Sequence, residues 1–123
     1  MASSRNRISI VNRTQQSVVC ASASLADTFR TRLFGLLGRR GLADDAGLLL
    51  KPCSGVHTFG MAFAIDIVSL DKSDRVIGIY QEIGPWKVRG LSLHTRSVLE
   101  LPAGQIRRSG VALGDRLEVR TRV

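Results

Sequence analysis

The segment FAIDIVSLDKSDRVIGIYQEI, residues 63–83, carries the strongest β-hairpin signal of the chain. Phe63–Leu70 is rich in apolar and β-branched residues on both of its faces, which is typical of a strand buried on both sides. Asp71-Lys72-Ser73-Asp74 then supplies turn chemistry, and Arg75–Ile83 resumes as a second strand. The segment therefore predicts two antiparallel strands that pair with each other.

Shorter strands flank this hairpin. Ile8–Val11 and Ser17–Ala21 are β-favouring runs on either side of a polar turn, so they predict a second hairpin. Leu48–Leu50, Ser97–Leu101 and Arg116–Thr121 each predict a single strand, bounded by proline or glycine. The pattern is that of a mainly β domain.

Two short helices are compatible with the remaining segments. Asp27 or Thr28 can cap a helix over Phe29–Leu37, which Gly35 and Gly38 keep short. Gln105–Ser109 predicts one helical turn. Between the strands, Gly84-Pro85-Trp86 opens a loop of about a dozen residues, which is longer than most connections.

Length and composition predict one soluble domain over residues 1–123. No apolar run approaches the ~18 residues of a membrane helix, and Ile8–Val11 is too short for a signal-peptide core. We therefore expect no membrane span and, if Met1 is the native start, a cytoplasmic location. In that compartment Cys20 and Cys53 are expected to be free thiols.

The net charge of +8 comes mainly from arginines scattered along the chain, with no block of five consecutive basic residues. Such a surface attracts anionic partners at long range. Only six aromatic residues occur, however, and none lies in a nucleic-acid-binding motif. A solvated arginine-rich surface explains the charge better, and nucleic acid is not the expected partner.

Four blocks carry a resemblance to a known family. They are Arg32–Leu37, Gly47–Leu50, His57–Asp66 and Ser97–Asp115, the last including VLELPAG at 98–104 and Gly114-Asp115. In this order they resemble domain of unknown function 192, a family of uncharacterised bacterial and archaeal proteins. The resemblance spans about residues 23–119.

The resemblance implies a compact β-sandwich or barrel of jelly-roll type with one or two short helices, and a cellular role that is not established. One block departs from the common family pattern. Where that pattern has a tryptophan-methionine pair and an asparagine, this chain has His57-Thr58 and Gly60. The chain therefore resembles a variant branch.

Five residues are candidates for chemistry or binding: Cys53, His57, Asp66, Trp86 and Glu100. A thiol and an imidazole four residues apart could bind zinc or form a nucleophile and base, although a structural zinc site needs four ligands. Asp66 and Glu100 each lie between apolar neighbours and could share acid-base work if they faced one cleft. Bonding of each acid to a nearby turn or an arginine is the simpler explanation, and no cofactor is predicted.

Three functions are compatible with these residues. The preferred one is a non-enzymatic binding or accessory domain for an unidentified protein or small molecule, in which Trp86 of the long loop offers a stacking surface. The alternative is a small hydrolytic or metal-assisted enzyme that uses Cys53 and His57 with Asp66 or Glu100, so whether the protein is an enzyme stays open. The third, nucleic-acid binding, rests on charge alone.

Overall fold

The computed structural model describes residues 7–26 and 41–121. The strands are β1 Arg7–Asn12, β2 Ser17–Ala26, β3 Ala46–Leu50, β4 Val56–His57, β5 Ile65–Leu70, β6 Val76–Ile83, β7 Val88–Arg89, β8 Ser97–Pro102 and β9 Leu117–Thr121, and helix α1 is Gln105–Ser109. The expectation of a mainly β protein is confirmed. The helix predicted over Phe29–Leu37 lies outside the described residues.

Seven strands form one mixed sheet in the order β6-β5-β8-β3-β2-β1-β9, and β4 pairs with β7 in a separate two-stranded sheet. Both predicted hairpins are confirmed, because β1 pairs antiparallel with β2 and β5 with β6. The β2–β3 pair is parallel. Strands β4 and β7 lie in segments where no strand was predicted.

The large sheet curls so that its two edges meet at one point. Arg75, just before β6, forms an isolated antiparallel bridge with Arg116, just before β9. The pairing does not extend into a ladder, so the sheet is not closed into a barrel. Of the expected sandwich or barrel, the closed barrel is therefore not observed, and the mixed strand order does not confirm a jelly roll.

Apolar side chains pack on both faces of the sheet. We call the face with Leu49, Val68, Leu99 and Leu101 the inner face, and α1 packs its Ile106 there. The opposite, outer face carries a second cluster that includes Leu48, Ile67 and Val98. Since both faces are covered, every residue of β5 and of β8 is buried. No helix in the described ranges is long and apolar enough to cross a membrane.

Candidate functional site

Asp66 and Glu100 lie on opposite faces of the sheet. In the β5–β8 pair, Asp66 is opposite Leu101 and Ile67 is opposite Glu100. Directly paired residues share a face, and neighbouring residues alternate between faces. Asp66 therefore points to the inner face and Glu100 to the outer face. The two carboxylates do not form an acid-base pair.

Asp66 is a structural anchor. It is fully buried, and its Oδ1 accepts a hydrogen bond of 2.8 Å from the amide of Glu82, while its Oδ2 accepts one of 2.9 Å from the amide of Ile106. Glu82 has a positive φ of 53° at an irregular point of β6, and Ile106 lies in α1. The Asp66 carboxylate thus fixes both the irregular backbone at Glu82 and helix α1 at Ile106.

Glu100 is a buried acid on the outer face of the sheet. It is 5% exposed between the outer-face residues Leu48 and Ile67, and among the described residues nothing donates a hydrogen bond to its carboxylate. Loss of hydration on burial raises the pKa of Glu100 from 4.5 to about 7. The Glu100 carboxyl group therefore gains or loses its proton near neutral pH. Asp66, the second acid that hydrolysis would use, lies on the other face of the sheet.

Cys53 and His57 are engaged separately. The Cys53 thiol donates to the carbonyl oxygen of Gly55, at 3.0 Å, and packs against the outer-face cluster. The exposed His57 ring lies 4.9 Å from the ring of Phe59, and its Nδ1 accepts a hydrogen bond from the Phe59 amide. Within residues 7–26 and 41–121 no three His, Cys, Asp or Glu side chains are grouped closely enough to hold a metal ion.

The two thiols are expected to differ in reactivity. Cys20 is 2% exposed in the inner-face cluster, and burial raises its pKa to about 11, whereas Cys53 is partly exposed. Because the thiolate is the reactive form, iodoacetamide at pH 8 should modify Cys53 first and Cys20 only after unfolding. Mass spectrometry of the alkylated native and denatured protein checks this, and equal modification rates would contradict it.

Trp86 belongs to an exposed group of rings that we call the aromatic platform, formed by His57, Phe59 and Trp86. The Phe59 and Trp86 rings are stacked at 5.6 Å with an angle of 29° between them. Phe59 is 43% exposed and Trp86 is 69% exposed, so these rings do not cover the core. The structure thus brings His57 and Trp86 together through Phe59.

Thr58 is hydrogen-bonded to the segment that carries Trp86. It is 1% exposed, and its hydroxyl donates to the carbonyl of Gly84 and accepts from the amide of Lys87. Its backbone also donates to the carbonyl of Lys87 and accepts from the amide of Trp86. Trp86 itself has a φ of 66°, a conformation that non-glycine residues seldom adopt. Four hydrogen bonds through one residue thus fix a strained segment that exposes a tryptophan.

Sequence reasoning missed Phe59 and Thr58, although both lie in the His57–Asp66 block. Phe59 follows His57 by two residues, but Phe59 and Trp86 meet only because His57 of β4 pairs with Val88 of β7. A two-residue strand has too little alternation to be recognised in a sequence.

A cleft of about 440 Å³ lies between β6 and the segment that follows β7, and no platform residue lines it. Its walls include the hydroxyl residues Ser69, Tyr80 and Ser92 and the basic residues Lys72 and Arg96. None of these residues was singled out from the sequence, because the cleft forms only where the β5–β6 hairpin meets residues 90–96.

A larger basic groove of about 740 Å³ lies where β9 approaches the β5–β6 turn. It is lined by five basic residues, Arg13, Lys51, Lys72, Arg75 and Arg116, together with Asp74 and Glu118. Arg13 is paired with Glu118, so part of this charge is neutralised. Several of the scattered arginines therefore do meet on one surface.

The chain is similar to proteins of unknown role. It is 29% identical over 111 residues to a UPF0127 protein of Thermococcus kodakarensis, covering 86% of this chain and 69% of that protein. A solved protein of unknown function from Novosphingobium aromaticivorans has a TM-score of 0.77 at 23% identity, covering 91% of this chain and 83% of that chain.

A second solved protein, described as a candidate transcription regulator of Sinorhizobium meliloti, has a TM-score of 0.75 at 24% identity and covers 92% of both chains. At these identities the two structures show a shared fold and nothing about activity. The family model described as "Uncharacterized ACR" matches residues 10–119. The chain therefore belongs to the domain of unknown function 192 family.

Proposed function

We propose that this protein is a non-enzymatic binding domain that uses the aromatic platform to bind a partner protein. The observation that carries this proposal is the exposure of Trp86, at 69%, on a support that Thr58 makes rigid. Large aromatic side chains at a rigid surface lose little conformational entropy on binding, and tryptophan is enriched among the residues that dominate interface energies. Backbone strain retained at a surface position is typical of functional sites.

The surroundings of the platform favour a protein over a sugar. Val88, Leu91 and Leu93 are 47%, 74% and 91% exposed in the segment that follows Trp86, which adds exposed apolar surface to this part of the chain. Contiguous exposed apolar residues of this kind mark protein interfaces. A sugar site would also need free hydrogen-bonding groups beside the rings, but the Thr58 hydroxyl is already used within the protein.

The charge near the platform favours an acidic partner. Lys87 and Arg89 flank Val88 in the segment that follows Trp86. The whole chain carries a net charge of +8. Opposite charges around an apolar centre accelerate association and orient the partners. The partner surface should therefore present an apolar or aromatic side chain within an acidic rim.

We do not propose the enzyme alternative, in which Cys53 and His57 act with Asp66 or Glu100. Its two acids face opposite sides of the sheet, and the His57 ring lies against Phe59 in a tilted arrangement. Nucleic acid is not proposed either, because the basic groove, as far as the structure describes it, has no aromatic side chain on its walls for base stacking.

Trp86→Ala is expected to weaken partner binding at least thirty-fold, which corresponds to the ~2 kcal/mol typical of a central interface residue. The experiment places a photo-crosslinking amino acid at position 88 and identifies the captured protein by mass spectrometry. Binding of that protein, once purified, is then measured for the parent, Trp86→Ala and Val18→Ala.

Val18 is the matched control because it is an apolar residue, 58% exposed, on β2. Trp86 is the only tryptophan of the chain, so its emission reports directly on occupancy of the platform. A captured protein that shifts this emission and binds Val18→Ala normally supports the proposal. The proposal would be refuted if the same protein were captured equally well by Trp86→Ala. It would also be refuted if the only crosslinks were between copies of this chain.

A further inference from the structure

We propose a second binding site, distinct from the platform: the cleft between β6 and residues 90–96 binds the phosphate group of a small phosphorylated molecule. Its volume of about 440 Å³ is within the range of small-molecule sites and exceeds what a bare phosphate fills. Three features of the cleft favour a phosphate group: a hydroxyl floor, two cations and a restricted size.

The floor presents two hydroxyl groups that converge above Gly78. A Cβ atom at Gly78 would collide with the Oγ of Ser69 and would lie 2.7 Å from the Oη of Tyr80. Glycine at this position therefore leaves the space that both hydroxyls occupy. Ser69 is 2% exposed as a residue, and it lines the cleft. Serine and tyrosine hydroxyls on the wall of a cleft are hydrogen-bond donors for a ligand bound there.

The rim is cationic. Lys72 and Arg96 are both exposed and line the cleft, and His94 lies beside them. Asp71 also lines the cleft, but its Oδ1 already accepts hydrogen bonds from the amides of Ser73 and Arg75. The rim therefore has a net positive charge, because Lys72 and Arg96 outnumber Asp71, whose carboxylate is already hydrogen-bonded within the protein. An arginine and a lysine together with hydroxyl donors are suited to a phosphate group.

The segment that forms the outer wall is well anchored. The Thr95 hydroxyl, 2% exposed as a residue, donates to the carbonyl of Gly90 at 2.8 Å, and the amide of Arg96 donates to the carbonyl of Leu70. Gly90 has a φ of 74°, which turns the chain toward Ser69. The cleft is therefore preformed, which reduces the entropy lost on binding.

Two-dimensional NMR of the amide groups tests this site. The full chain is titrated with inorganic phosphate and, separately, with glycerol 3-phosphate, at constant ionic strength. We expect saturable shifts of the Ser69, Gly90 and Thr95 amides, with tighter binding of glycerol 3-phosphate because the cleft has room for its glycerol portion.

Two variants separate the site from general attraction of anions. Arg96→Gln should raise the Kd at least tenfold, since hydrogen bonds to charged groups contribute about 1.5 kcal/mol or more. Ser69→Ala should raise it several-fold without any change of charge. Arg107→Gln is the matched control, because Arg107 is an exposed arginine on α1.

Equal weakening by Arg96→Gln and Arg107→Gln, or shifts that never saturate, would overturn the proposal. Arg96 is exposed, so its substitution leaves the fold intact and the result is decisive even if Ser69→Ala unfolds. Emission of Trp86 should not respond to phosphate. The site can thus fail or succeed independently of the proposed partner binding.

Discussion

Glu100→Gln is expected to raise the free energy of unfolding by about 3 kcal/mol at pH 8 and to leave it nearly unchanged at pH 4. Burial raises the pKa of Glu100 from 4.5 to about 7, so at pH 8 folding places a charged carboxylate among apolar residues. Each unit of pKa shift corresponds to about 1.4 kcal/mol. Glutamine has the same shape but no charge.

The sign of the pH dependence is fixed by the direction of this shift. Below pH 4.5 the folded and unfolded states both hold the proton, so Glu100 carries no charge penalty. As the pH rises from 4.5 to 7, the unfolded state releases its proton first and the contribution of Glu100 to stability falls. Above pH 7 the penalty is constant.

Urea denaturation of the parent and of Glu100→Gln at pH 4, 6 and 8 measures this contribution. Glu82→Gln is the control, because the Glu82 side chain is 62% exposed and its charge stays hydrated. A variant that is less stable than the parent at pH 8 would mean that Glu100 has a compensating charge in the folded state.

Asp66→Ala is expected to lower the free energy of unfolding by about 3 kcal/mol or more. The substitution leaves the amides of Glu82 and Ile106 buried without an acceptor, and hydrogen bonds to a charged group each contribute about 1.5–3 kcal/mol. The loss should also release α1, so faster hydrogen exchange of the Ile106 amide, followed by NMR, is the local readout.

Asp71→Ala is the matched control for this prediction. Asp71 also accepts two backbone hydrogen bonds, from Ser73 and Arg75, but it lies in an accessible turn where water can replace it. Its loss should cost about 1 kcal/mol or less. If the two variants were equally destabilised, burial of Asp66 would not be the reason for its effect.

The fold was predictable where the signal is local. The 63–83 hairpin, the hairpin at residues 8–21 and the turn of helix at Gln105–Ser109 all follow from patterns within a few residues, and all are present. Strand order is not local. Nothing in the sequence of β2 indicates that it pairs in parallel with β3, or that β1 lies between β2 and β9.

The candidate site was predictable only in its components. Asp66 and Glu100 were recognised as acids among apolar neighbours, but their separation onto opposite faces depends on the β5–β8 register. Trp86 was recognised as the residue of a long loop, whereas its contact with Phe59 depends on two-residue strands. Ser69 and Tyr80 became notable only through the cleft that they share with residues 90–96.

The pairing of β1 with β9 has a consequence for biosynthesis. Ile8 pairs with Thr121, so a growing polypeptide that has left the ribosome only as far as Gly114 has no partner for the outer edge of β1. Until residues 117–121 emerge, that edge exposes unpaired amide and carbonyl groups to other nascent chains. The interval before β9 docks is therefore one in which this protein is exposed to misassembly and a chaperone would be of use.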